Sequence, residues 1–178
     1  MPKKDKMILR CLVFTSVALW LSILSVARVK ADVNANAHQT ILAIYQKQHQ
    51  GYFRRNVTAE LSGVSPAFVS TTVLGTKFGY AYERKHMQSA FDDATPSEWA
   101  NQRTSWVIEG FAVNGNEAKV RVRSHSVVKS ISSKAKRPYY QSVDEVVVNI
   151  WVKTSHGWFE TQEQFLSSQH TYSLARIN

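Results

Sequence analysis

From Thr104 to Leu166 the apolar residues recur with a period of two, and this long alternation constrains the fold more than any other feature of the chain. Trp106, Ile108 and Gly110 alternate with Val107, Phe111 and Val113 up to Asn114, Gly115 and Asn116, and the pattern resumes from Lys119 to Val128. An Asn-Gly pair between two alternating runs is a strong hairpin signal. A third run, Tyr139 to Lys153, carries Val146, Val147, Val148, Ile150 and Val152; Thr154 to Gly157 then forms a tight turn before a fourth, Trp158 to Leu166. Short reversals force neighbouring strands to pair antiparallel, and strands of this length twist, so the sheet is predicted to curve strongly.

Helical periodicity precedes the strands. Between Ala37 and about Arg55, Ile41, Leu42, Ile44, Tyr45, Tyr52 and Phe53 fall on one stripe, with Asn36 placed to cap the helix. Asn56 to Leu61 reads as a short second helix ended by Ser62, Gly63 and Pro66. Ala67 to Tyr80, interrupted by Gly75 and Gly79, reads as a short strand or loose hairpin, and Tyr82 to Phe91 as a third helix closed by Asp92, Asp93 and Pro96. Helices segregated before an antiparallel sheet make an α+β domain. The concave face of the sheet is the surface large enough to cover their apolar stripes.

The beginning of the chain has a different character. Lys3, Lys4, Lys6 and Arg10 precede an uncharged run from Cys11 to Ala27, and Val29 and Ala31 suit a cleavage after Ala31. Residues 1–31 are therefore expected to be a signal peptide or, alternatively, an N-terminal membrane anchor, with residues 32–178 forming one domain whose core runs from about 37 to 168. Either reading places the domain outside the cytoplasm, periplasmic or secreted. The whole chain has a formal charge of +9. Residues 1–31 hold six of its bases and one acid, Asp5, so the remainder carries +4. The single cysteine, Cys11, leaves with the leader, which excludes a disulfide framework or thiolate zinc site in the domain.

The order of elements resembles the nuclear transport factor 2-like superfamily, in particular its SnoaL-like, bacterial stand-alone members. The residues that carry the resemblance are Ile44 and Tyr45 in the first helix, Val64 to Phe68 followed by Gly75, Arg84 in the third helix, and the strand Asn149 to Thr154 with Gly157 and Trp158 beyond it. The resemblance implies a cone-shaped domain with a pocket between sheet and helices, and a homodimer joined through the outer face of the sheet.

No residue pattern marks a reaction. The six histidines lie in different elements and form neither HxH nor HExxH, so no metal is expected; GxSxG, GxGxxG and a phosphate loop are lacking, so no cofactor is expected. Enzymes of the superfamily pair a pocket carboxylate with Tyr or His, which makes Asp144, His125 and Tyr52 the catalytic candidates. Asp144 shares a face with Val146, Val148 and Ile150, and His125 shares one with Lys119, Arg121 and Arg123 that reads as solvent-facing. Trp99 and Trp106 flank a polar stretch and suit a pocket mouth, so Trp99, Trp106, Tyr52, Tyr140 and Asp144 are the ligand-binding candidates. Lys119, Arg121, Arg123, Lys129, Lys134, Lys136 and Arg137 form a basic patch with no acid between them. Export, together with the acidic balance of the rest of the domain, argues against nucleic acid as its partner and for a solvated face, an anionic membrane surface or self-association.

Three functions follow. The first is non-catalytic binding of a small apolar ligand or an envelope partner. The second is a cofactor-free isomerase, dehydratase or hydrolase using Asp144 with a Tyr or His, and the third is a membrane-anchored dimeric scaffold.

Overall fold

The computed structural model describes residues 34–94, 102–131 and 138–174. Residues 34–53 are helical (α1), followed by α2 (Val57–Glu60), β1 (Val64–Thr71), β2 (Lys77–Gly79), α3 (Tyr80–Asp93), β3 (Arg103–Asn114), β4 (Glu117–Ile131), β5 (Pro138–Thr154) and β6 (Gly157–Leu174). Thr40–Asn178 is one compact unit. The proposed leader, residues 1–31, lies outside the described residues. So do Pro96 and Trp99, and the segment that holds Lys134, Lys136 and Arg137.

The six strands form one curved, open sheet in the order β2-β1-β6-β5-β4-β3. β3 to β6 make the antiparallel meander that the alternation predicts, and the Asn114–Glu117 reversal uses Gly115 at φ +60°, which glycine adopts without strain. β1 and β2 form a hairpin, but β1 joins the sheet by pairing parallel with β6. That pairing joins segments far apart in the chain and leaves no local pattern.

Several boundaries differ from the sequence expectation: α3 starts at Tyr80 and runs to Asp93, and β1 starts at Val64. Asn36 lies within α1 instead of capping it, β4 continues past Val128 to Ile131, and β6 continues past Leu166 to Leu174. In contrast, Asn56 caps α2 with its side chain, which accepts the Ala59 N–H at 2.9 Å. Gly51 lets α2 fold back onto α1, because a Cβ there would sit on the α2 backbone at Ala59 and Glu60.

The register identifies the covered face of the sheet. Tyr45 of α1 accepts hydrogen bonds from Asn149 Nδ2 at 2.8 Å and Trp151 Nε1 at 3.2 Å, so α1 lies over the face of β5 that carries these residues. Ala118, Val120 and Val122 of β4 pair with Trp151, Asn149 and Val147 and face the same way. Trp151 is fully buried and Trp158 nearly so, and burial of rings this size is a large part of what holds the helices to the sheet. Beneath α2 and α3 a smaller cluster forms from Val57, Leu61 and Phe91, flanked by Tyr52, Val64, Tyr80 and Met87.

Candidate functional site

Two bulges in β6 determine what faces the helices. Trp151 pairs with Glu160 whereas Ile150 pairs with Gln162, so Thr161 is an extra residue that moves the inward phase from Glu160 to Glu163. A second shift, between Val146 and Val147, makes Leu166 extra and moves the phase again, to Ser168. Glu160 and Glu163 therefore both point to the concave face, where Ser70 of β1 donates to Glu163 Oε2 at 3.1 Å. On β5, Glu145 also faces inward and accepts from Ser168 Oγ at 3.1 Å.

Two adjoining chambers open on this face. One, of about 190 Å³, is lined by Tyr45, Gln48, Glu60, Glu83, Asn149, Glu160 and Glu163, with Leu61, Val64, Phe68 and Met87 as its apolar wall. The other, of about 340 Å³, shares Tyr45, Gln48 and Glu60 and adds His49, Tyr52, Trp106, Ser124, Ser126 and Glu145 among its walls. Among the described residues no Lys or Arg lines either chamber.

The carboxyls respond to that environment. Burial pushes Glu60 up to about 8. Burial, and then the charge of Glu163, hold Glu160 well above the ordinary carboxylate range, and a hydrogen bond from Gln48 only partly opposes them. Glu163 is raised chiefly by burial, against the Ser70 hydrogen bond, with the charges of Glu83 and Glu145 adding to the effect. Glu83 is raised by burial, partly offset by His86. Burial, followed by the Glu160 charge, raises the Tyr45 phenol, and burial lowers His49. Glu60 Oε2 and Asn149 Oδ1 are buried acceptors with no hydrogen-bond partner. The arrangement can hold protons on closely spaced carboxyls, exchange them with a bound molecule and accept hydrogen bonds from it.

The residues singled out from sequence divide between the two faces. Tyr52 and Trp106 reach the larger chamber; Tyr52 OH accepts from Gln102 Nε2, and the Trp106 ring lies 5.7 Å from that of Tyr45. Asp144 and Tyr140 have the opposite parity on β5, so the five ligand-binding candidates do not form one site. Asp144 pairs with His125 at 2.8 Å (Nδ1 to Oδ1) on the outer face, with about half of each side chain exposed. The face of Val146, Val148 and Ile150 is therefore the one turned away from α1. Within the basic patch, Arg121 and Arg123 both bind Glu109, at 3.1 and 2.5 Å, and Lys119 is exposed.

Sequence reasoning missed Glu60, Glu83, Glu160 and Glu163. A signal existed for one of them: Glu160 stands two residues after Trp158, in the inward phase of an apolar strand. Glu163 carried no such signal, because only the bulge at Thr161 turns it inward.

No protein-family model and no curated protein matches the chain. Solved structures do match. An NTF-2 like protein of unknown function from Shewanella oneidensis is 12% identical with a TM-score of 0.54, over 72% of this chain and 97% of that one. A protein from Novosphingobium aromaticivorans described as a candidate scytalone dehydratase is 9% identical with a TM-score of 0.60, over 83% and 93% of the two chains. A protein from Kribbella flavida reaches 0.61 at 11% identity, over 77% and 94%. At these identities the likeness is one of fold alone. The chain thus has the nuclear transport factor 2-like fold, an α+β domain with helices packed on a curved sheet.

Proposed function

We propose that the protein binds a small molecule on the concave face of its sheet, with Glu160 and Glu163 as the principal contacting groups. One observation carries this reading: two neighbouring buried carboxyls line a recess whose walls include Tyr45 and Phe68, adjoining one that includes Tyr52 and Trp106, with no Lys or Arg lining either among the described residues. Carboxyls in such surroundings weaken a fold unless something else requires them, and strongly perturbed acids in a cleft are a mark of binding and catalytic sites. The ligand-binding class expected from sequence is kept, but the recess calls for a polar molecule instead of an apolar one. The Asp144–His125 pair supports an enzymatic reading less well, because it stands in the open with no wall to exclude water. The basic, apolar and small-residue order of residues 1–31 supports export of the domain.

The test is the melting temperature of the E160Q/E163Q double variant at mildly alkaline pH. A functional pair predicts a higher Tm than wild type, since the change removes two costly charges and keeps the shape. A lower Tm would mean that the carboxyls serve the fold, and the pocket reading would fall.

A further inference from the structure

The chemistry of the recess narrows its ligand, an inference that rests on the pocket reading above. Two acceptors on its walls lack donors. Asn149 is 3% exposed and lines the smaller chamber; its Nδ2 is engaged by Tyr45, but its Oδ1 has no partner. Glu60 Oε2, on the wall common to both chambers, is likewise unpartnered. Glu83, Glu160, Glu163 and Glu145 complete a lining that holds no Lys or Arg among the described residues, and burial lowers its one imidazole, His49. An anionic ligand would find no Lys or Arg to receive it among the described lining residues, and an uncharged apolar ligand would leave the buried acceptors unpaired.

The ligand must therefore bring several N–H donors and a positive charge. A metal ion would need its acids grouped as ligands, and no three His, Cys, Asp or Glu side chains converge in that way among the described residues. The aromatic walls decide for an organic cation. Tyr45, Trp106 and Trp151 stand together, with Tyr45 5.7 Å from Trp106 and 5.3 Å from Trp151, and Tyr45 and Trp106 both line the larger chamber, so they present ring surface beside the carboxyls. We propose that the recess is a site for a primary ammonium compound, its –NH3+ donating to Asn149 Oδ1 and to the carboxylates of Glu163, Glu160 and Glu60, and its hydrocarbon part lying against Tyr45 and Trp106.

Binding is then coupled to proton release. An ammonium ion that enters already protonated displaces protons held on the carboxyls, and these leave to buffer. Calorimetric titration with putrescine and butylamine, using butanol as the uncharged control of matched shape, tests the proposal. Saturable binding of the amines is expected, with an apparent enthalpy that varies with the buffer's ionisation enthalpy, weaker binding in mildly acidic buffer, no binding of butanol, and a loss of at least about tenfold in affinity for E163Q. W106L, which leaves the carboxyls in place, should weaken the amines less than E163Q does.

Butanol binding as tightly as butylamine would overturn the ammonium assignment and leave the pocket standing. Absence of binding by all three compounds, with E160Q/E163Q more stable than wild type, would do the same. Absence of binding together with a destabilised E160Q/E163Q would overturn both the assignment and the pocket.

Discussion

The two faces of the sheet carry the same kinds of residue and treat them in opposite ways. On the outer face Glu109 is held between Arg121 and Arg123, and Asp144 beside His125, all reached by water. On the concave face Glu160 and Glu163 have each other, Gln48 and Ser70, with no cation among the described residues. The consequence appears in their acidity: the Arg123 and Arg121 hydrogen bonds hold Glu109 below the ordinary range, whereas burial raises every shifted carboxyl of the recess. An acid on this protein is thus informative only once its face is known. Outer-face pairs of this exposed kind contribute little to stability and are satisfied as they stand. The inner acids are costly, and one of them, Glu60, has a buried oxygen with no hydrogen-bond partner among the described residues.

Three measurements can break or sharpen this contrast. The largest effect belongs to Trp151→Ala, which removes a fully buried ring and the N–H that binds Tyr45; a loss of about 3 to 5 kcal/mol in denaturant unfolding is expected. A loss below about 1 kcal/mol would show that the helices are not anchored through this residue.

Next is the pH dependence. A carboxyl whose folded pKa is raised binds more protons in the folded state, so its contribution is present below its ordinary pKa and is lost as pH rises through the folded value. For Glu60 that window runs from the ordinary value of 4.5 to about 8. Stability should fall across it, and Glu60→Gln should flatten that fall. A stability curve unchanged by the substitution would mean that Glu60 is hydrated. Glu109, lowered instead of raised, has the opposite sign: its contribution is present above its ordinary pKa and is lost as pH falls.

The smallest effect is expected on the outer face. Glu109→Gln should leave Tm unchanged at physiological salt, because both arginines and the carboxylate are open to water. A clear drop would show that the outer ion pairs are part of the fold's support.

The fold was more legible in the sequence than the site, for identifiable reasons. Hairpins declare themselves locally: Asn114-Gly115 and the Thr154–Gly157 turn mark reversals that the pairing then obeys. Asn56 likewise shows its cap through the Ala59 N–H three residues on. The parity of Asp144 with Val146 and Val148 was also readable, but not which of the two faces the helices cover. Val146 and Val148 are buried on the outer face, opposite Arg123 and Arg121, whose aliphatic stems suit such a cover, so apolar character did not distinguish the sides. The acid pair was hidden more deeply. Strict alternation from Glu160 points Gln162 and Gln164 inward, and a single extra residue at Thr161 replaces them with Glu163.

The parallel β1–β6 pair has a consequence for access. Ser70 and Glu163 lie 93 residues apart, so the wall they share closes a long loop, whereas each strand of the meander is joined to the next by a short connection. Separating β1 from β6 would return the acids to water and leave β3 to β6 paired. The wall behind Glu163 thus rests on a pairing of few residues, and it is the part of the recess expected to loosen first on local unfolding.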